Sequence, residues 1–187
     1  MRIRAAPPLS SILGAAGPVG GVAASILGRG ARPVRAILFN KSEARNWALG
    51  WHQDRTIVVR HRREVTGYDR WTMKDGLIQV EPPFDILERM VTLRVHLDPV
   101  DPDNAPLRIL PGSHRLGRLT DAAVDEVAAR SAEYRCLAKR GDIWAYATPI
   151  VHGSAAAIVP RRRRVLQIDY SPDDSPGELL AWRGLDE

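Results

Sequence analysis

The tripeptide His52-Gln53-Asp54, answered about a hundred residues later by His152 and then by Arg163, constrains the fold more than any other feature of the chain. In a strand, residues i and i+2 point to the same side, so His52 and Asp54 can reach one metal ion while Gln53 points away. A third ligand must then come from a distant part of the fold. His152 meets that need, in a segment from Trp144 to Ser154 that reads as strand, turn and second short strand. Two histidines and one carboxylate make the three-ligand face that holds non-haem Fe(II) and leaves positions open.

A cation follows at a useful distance. Arg161 to Arg164 lead into Val165-Leu166-Gln167-Ile168-Asp169-Tyr170, a β-rich run expected to be a strand. Alternation puts Arg163 and Val165 on one face, Arg164 and Leu166 on the other. An inward arginine beside an iron site suits a dicarboxylate, because its planar fork pairs bidentately with the far carboxylate.

These residues carry a resemblance. His52-Gln53-Asp54, the segment Asn104 to Arg115 with its Pro111-Gly112-Ser113-His114 turn, His152-Gly153-Ser154 and Arg163 together resemble the phytanoyl-CoA dioxygenase family, over about Val34 to Tyr170. The resemblance implies a mainly β fold, the double-stranded β-helix or cupin-like jelly roll, with a few flanking helices. It implies an Fe(II)- and 2-oxoglutarate-dependent dioxygenase with His52, Asp54 and His152 as metal ligands. The family's 2-oxoglutarate arginine lies eleven residues past the second histidine, which selects Arg163. Ser154 matches a hydroxyl that helps bind the same carboxylate. Trp71 falls in a region that can pack against 2-oxoglutarate, and it reads equally as an aromatic anchor of a long loop. With dioxygen, such an enzyme hydroxylates a small-molecule substrate and releases succinate and CO2. Relatives that halogenate lack the carboxylate, so Asp54 points to hydroxylation. The alternatives are a cupin-like metal enzyme of another reaction class and a catalytically inactive β-helix binding module.

At 187 residues a single domain is expected, with a Gly/Ala/Pro-rich extension over 1–33, the oxygenase domain over 34–170 and a tail over 171–187. The net charge of +5 comes mainly from arginines scattered along the chain, which argues against a nucleic-acid stripe. No segment approaches the roughly 20 apolar residues of a spanning helix, and Pro7, Pro8, Gly14, Gly17 and Pro18 interrupt the apolar start, so no membrane partner and a cytoplasmic location are expected. Cys136 is the one cysteine and reads as a small buried hydrophobe.

Strands are expected over Val34–Phe39, Trp47–Asp54, Thr56–Arg60, Val91–Leu97, Leu107–Leu110, Tyr134–Ala138, Ile143–Tyr146, Ile150–His152 and Arg163–Tyr170. Helices are expected over Val22–Leu27, Phe84–Met90 and Asp121–Arg130, the last capped by Thr120. Arg62 to Gly76 reads as a loop. His96 shares a polar strand face with Thr92 and Arg94 and reads as structural. His114 reads as a turn residue and His61 as surface. Lys41 can meet an anion, but a solvated surface lysine is the plainer reading.

Overall fold

The computed structural model describes residues 7–185. Two short helices, α1 (Pro7–Leu13) and α2 (Gly20–Leu27), precede strands β1 (Arg32–Lys41), β2 (Leu49–His52), β3 (Ile57–Val59), β4 (Asp69–Lys74) and β5 (Leu77–Glu81). Helix α3 (Phe84–Glu88), β6 (Val91–His96), β7 (Leu107–Ile109) and a 3-10 turn at Ser113–Leu116 follow. Then come α4 (Asp121–Arg130), β8 (Tyr134–Cys136), β9 (Ile143–Ala147), β10 (His152–Ser154) and β11 (Arg163–Ser171). One four-stranded antiparallel sheet has the order β1-β11-β6-β9 and a second the order β2-β10-β7-β8. This is the expected double-stranded β-helix. A third sheet, β3-β5-β4, flanks it.

The two faces of the larger sheet explain where a site can form. Its outer face is apolar: Ala36, Val91, Leu93, Leu166, Ile168 and Tyr170 pack against Leu13, Val19 and Ala23 of the N-terminal helical segment. Its inner face is polar. On β11 the inward residues are Arg163, Val165, Gln167 and Asp169; on β6 they are Thr92, Arg94 and His96, all buried except for slivers. A sheet that turns apolar side chains to covering helices and charges inward is enclosing a polar chamber, since buried charges need partners or ligands.

Several elements depart from expectation: α1 forms in the segment expected as an extension, β5 adds a strand, and β10 runs His152–Ser154 in place of Ile150–His152. The segment 62–76, read as a loop, contains β4. All but Trp71 of its side chains are exposed, so it carries no alternation, and backbone pairing with β5 holds it. The strand expected over Trp47–Asp54 ends at His52. After β11, Leu180 and Trp182 bury against Ile57, Val59 and Val80, and Trp182 bridges to Val59. The turn-rich composition of 171–185 conceals that anchor.

Ala105 has φ +52°, a left-handed conformation unfavourable for a residue with Cβ. The buried Ala105 turn aims its carbonyl at Arg163. Ala105→Gly should therefore stabilise the fold by roughly 0.5–1 kcal/mol, the left-handed penalty less the entropy glycine adds to the unfolded chain. Urea unfolding of the two proteins checks this.

Candidate metal centre

His52 closes β2 and His152 opens β10, and the two are register partners across the antiparallel pair. Their ring centroids lie 4.3 Å apart. His52 Nδ1 is 2.8 Å from the Gly50 carbonyl oxygen, and His152 Nδ1 is 2.9 Å from that of Ile150. A carbonyl only accepts, so each Nδ1 carries a proton and Nε2 is the nitrogen of each ring left to face a metal. The same bonds fix ring orientation, as outer partners of metal-bound histidines do.

Asp54 lies just past the end of β2 and still points with His52. Gln53 points the other way and replaces the lost ladder. Its buried amide donates to Gly117 and Pro149 carbonyls, each at 3.0 Å, and its Oε1 accepts from the Leu119 amide at 2.9 Å. The ligand atoms of His52, Asp54 and His152 all fall within 4.8 Å of one another. His152 Nε2 is 3.9 Å from Asp54 Oδ2.

Electrostatics set the protonation states a metal needs. Burial pushes His152 down to about 4, so its imidazole is neutral near pH 7. Burial works to raise Asp54, but the neighbouring cations, Arg35 first and then Arg94, hold it below the usual carboxylate range. Arg35 lies 3.8 Å from Asp54 and also pairs with Asp169, which accepts from Thr92 at 2.9 Å. Gln167 spans the two carboxylates at 3.4 Å each. Two imidazole nitrogens and one anionic oxygen on one cavity wall fit a divalent iron.

The same cavity, about 90 Å³, is lined by Arg163, Lys41 and Ser154 as well as the three ligand residues. Arg163 opens β11 opposite Lys41 of β1 and is 2% exposed. Its Nη1 donates to the Ala105 carbonyl at 2.7 Å. Burial, then Arg94, push it down to about 10. Arg164 faces the other way and forks onto Asp98, while Arg161 pairs with Asp101 and Asp103. The strand register thus brings Arg163 alone of these three into the cavity.

Lys41 corrects the surface reading. It is 3% exposed, and its Nζ donates to the Trp47 carbonyl (2.6 Å), Ser154 Oγ (3.0 Å) and the Ala155 carbonyl (3.2 Å). Burial, then Arg163 and Arg94, lower it to about 8. The signal was present in β1: Ile37, Phe39 and Lys41 alternate onto one face, and all three line the cavity. Arg94, likewise in the cavity wall, was visible only as a polar residue in an apolar strand.

Of the two readings of Trp71, its position fits the aromatic anchor. It does not line the cavity; it packs against the core of the third sheet, beneath the guanidinium of Arg62 at 5.8 Å. Trp71 sits on β4, and β4 pairs away from the site. His96 is inward and 2% exposed, with both ring nitrogens unpartnered. Burial, Arg94 and Arg163 keep it neutral, with a pKa of about 4. Cys136 is buried, and burial lifts its thiol to about 11, so it is an inert packing residue.

Fold and donor set together define a double-stranded β-helix protein with a two-histidine, one-carboxylate face of the kind that can hold a divalent metal. The chain belongs to the phytanoyl-CoA dioxygenase family, whose profile matches residues 18–165. No curated protein is similar to it in sequence. Among solved structures it is similar to EctD from S. alaskensis with bound Fe, at 22% identity and a TM-score of 0.64, covering 89% of this chain and 53% of that one. A structure of EctD with 2-oxoglutarate and 5-hydroxyectoine matches at 23% identity and a TM-score of 0.61, covering 87% and 50%. AviO1 from Streptomyces viridochromogenes Tue57 matches at 24% identity and a TM-score of 0.56, covering 81% and 55%. The chain therefore spans about half the length of these structures, and at such identity they speak for the fold. No helix among the described residues is long and apolar enough to cross a membrane.

Proposed function

We propose that this chain is an Fe(II)- and 2-oxoglutarate-dependent oxygenase that hydroxylates a small molecule. One observation carries the reading: the His52, Asp54 and His152 face and the buried guanidinium of Arg163 line one cavity. A buried guanidinium facing the three-residue set is what a dicarboxylate co-substrate requires at its far end.

In this reading His52, Asp54 and His152 hold the iron, and Nε2 is the nitrogen each imidazole offers it. Arg163 binds the far carboxylate of 2-oxoglutarate, and Lys41 and Ser154, bonded to each other at 3.0 Å, share that role. Bound iron, 2-oxoglutarate and dioxygen supply an oxidant able to insert oxygen into a C–H bond, with the keto acid cleaved to succinate and carbon dioxide. The protein contributes orientation and exclusion of water. Burial of the cation end strengthens its grip on an anion, because charges interact more strongly away from bulk water. The family membership and the iron and 2-oxoglutarate held by EctD support the assignment.

The test is a screen of metabolite fractions with Fe(II), 2-oxoglutarate and air, following succinate and product mass. The expected result is succinate formed in step with a product one oxygen heavier than its precursor. Succinate formed with a product of unchanged mass would replace hydroxylation by another oxidative outcome. A substrate converted with no 2-oxoglutarate consumed would overturn the proposal.

A further inference from the structure

The inner face of the larger sheet carries three buried cations, Lys41, Arg94 and Arg163, and a partly buried fourth, Arg35, and they are not equivalent. Arg35 has carboxylate partners in Asp169 and Asp54. Lys41 and Arg163 are held by carbonyl and hydroxyl oxygens, which suits residues awaiting an anion. Arg94 is the unexplained one. It is 5% exposed, and its Nη1 donates to the neutral Oε1 of Gln167 at 2.7 Å. Its guanidinium lies over the Phe39 ring, 5.0 Å from the centroid, and its Nε has no partner.

Among the described residues no carboxylate hydrogen-bonds the buried Arg94 guanidinium. Its direct contacts are an amide oxygen and an aromatic ring, beside the Tyr146 hydroxyl, and Asp54 acts on it only through space, so its charge is incompletely compensated until a second anion arrives. Arg94 nevertheless lines the cavity that contains the metal ligands and Arg163. Its cross-strand neighbour Gln167 and the Phe39 ring hold its fork in place, so little freedom is lost when an anion arrives.

We propose that Arg94 is an anion-contacting residue that, with Lys41 and Arg163, makes the cavity select a ligand carrying two negative charges, and does so without the metal. The proposal rests on the reading of the cavity as a dicarboxylate site and deepens it. Discrimination against monocarboxylates then resides in the protein wall as well as in chelation.

The experiment uses the full chain, freed of metal with a chelator and titrated calorimetrically with succinate, which has two carboxylates and no keto group to chelate. Propionate, with one carboxylate, is the control. Wild type should bind succinate and bind propionate at least tenfold more weakly. Arg94→Met should lose at least tenfold in succinate affinity, with Arg94→Lys intermediate. The ligand-free Arg94→Met protein should melt at or above the wild-type temperature, because a buried charge with no hydrogen-bonded carboxylate has gone. A structural arginine would do the opposite, and a lower melting temperature in Arg94→Met would overturn the proposal. So would unchanged succinate affinity in that variant. If metal-free wild type fails to bind succinate while the Fe(II)-loaded protein binds 2-oxoglutarate, the proposal falls and the oxygenase reading stands; if the loaded protein also fails, both fall.

Discussion

Replacing His52, Asp54 or His152 by alanine is expected to abolish activity and to weaken Fe(II) uptake by at least about 100-fold, beyond what loss of an outer partner of a ligand does. Each ligand is one arm of a three-point face, and the cavity wall offers no substitute. His96 has free nitrogens, but it belongs to the opposite sheet and sits beside Arg94 and Arg163, whose charge repels a cation. The Asp54 variant should differ from the other two. It removes the anionic member of the set and leaves Arg35 with Asp169 as its remaining carboxylate. Metal content after dialysis, measured alongside the melting temperature, checks the prediction. Wild-type iron content in Asp54→Ala would end the assignment of that carboxylate as a ligand.

Arg163→Ala should raise the requirement for 2-oxoglutarate by roughly one to three orders of magnitude, the effect of losing a buried charged partner worth about 2–5 kcal/mol. Iron binding should remain nearly intact, since Arg163 contacts Ala105 rather than a metal ligand. Arg161→Ala and Arg164→Ala should leave 2-oxoglutarate dependence near wild type. Their partners, Asp98, Asp101 and Asp103, lie outside the cavity; the Arg161 pairs are exposed and contribute little, and the partly buried Arg164–Asp98 fork acts on the fold rather than on the co-substrate. Steady-state titration of 2-oxoglutarate against each single variant separates them. A large defect in Arg164→Ala with none in Arg163→Ala would exchange the two faces of β11.

Much of this architecture was legible because strand alternation survives in short segments. The His-x-Asp spacing put His52 and Asp54 on one side even though β2 ends before Asp54, because Gln53 continues the alternation by anchoring itself to the opposite wall. The same rule separated Arg163 from Arg164. The rule was available for Lys41 as well, at the end of β1. There the general preference of lysine for solvent outweighed it, and that preference fails where a cavity takes the place of solvent. Trp71 shows the reverse. Its role came from the family resemblance, and local sequence held no sign that β4 would carry it into the third sheet, because a strand exposed on both faces has no hydrophobic period. In the sequence, Arg94 and His96 show with Thr92 only as one polar face of a strand. Their inward direction follows only once helices are known to cover the outer face of that sheet.

The most direct test of the central claim is anaerobic calorimetry of 2-oxoglutarate with the Fe(II)-loaded protein, beside Arg163→Ala and His152→Ala. If one dicarboxylate is shared between the three-ligand face and the buried arginine, wild type should bind it with a single site. Arg163→Ala should then bind at least tenfold more weakly while retaining iron, and His152→Ala should lose the contribution of the metal. Iron-loaded wild type that does not bind 2-oxoglutarate, or that binds it equally well without Arg163, would contradict the account.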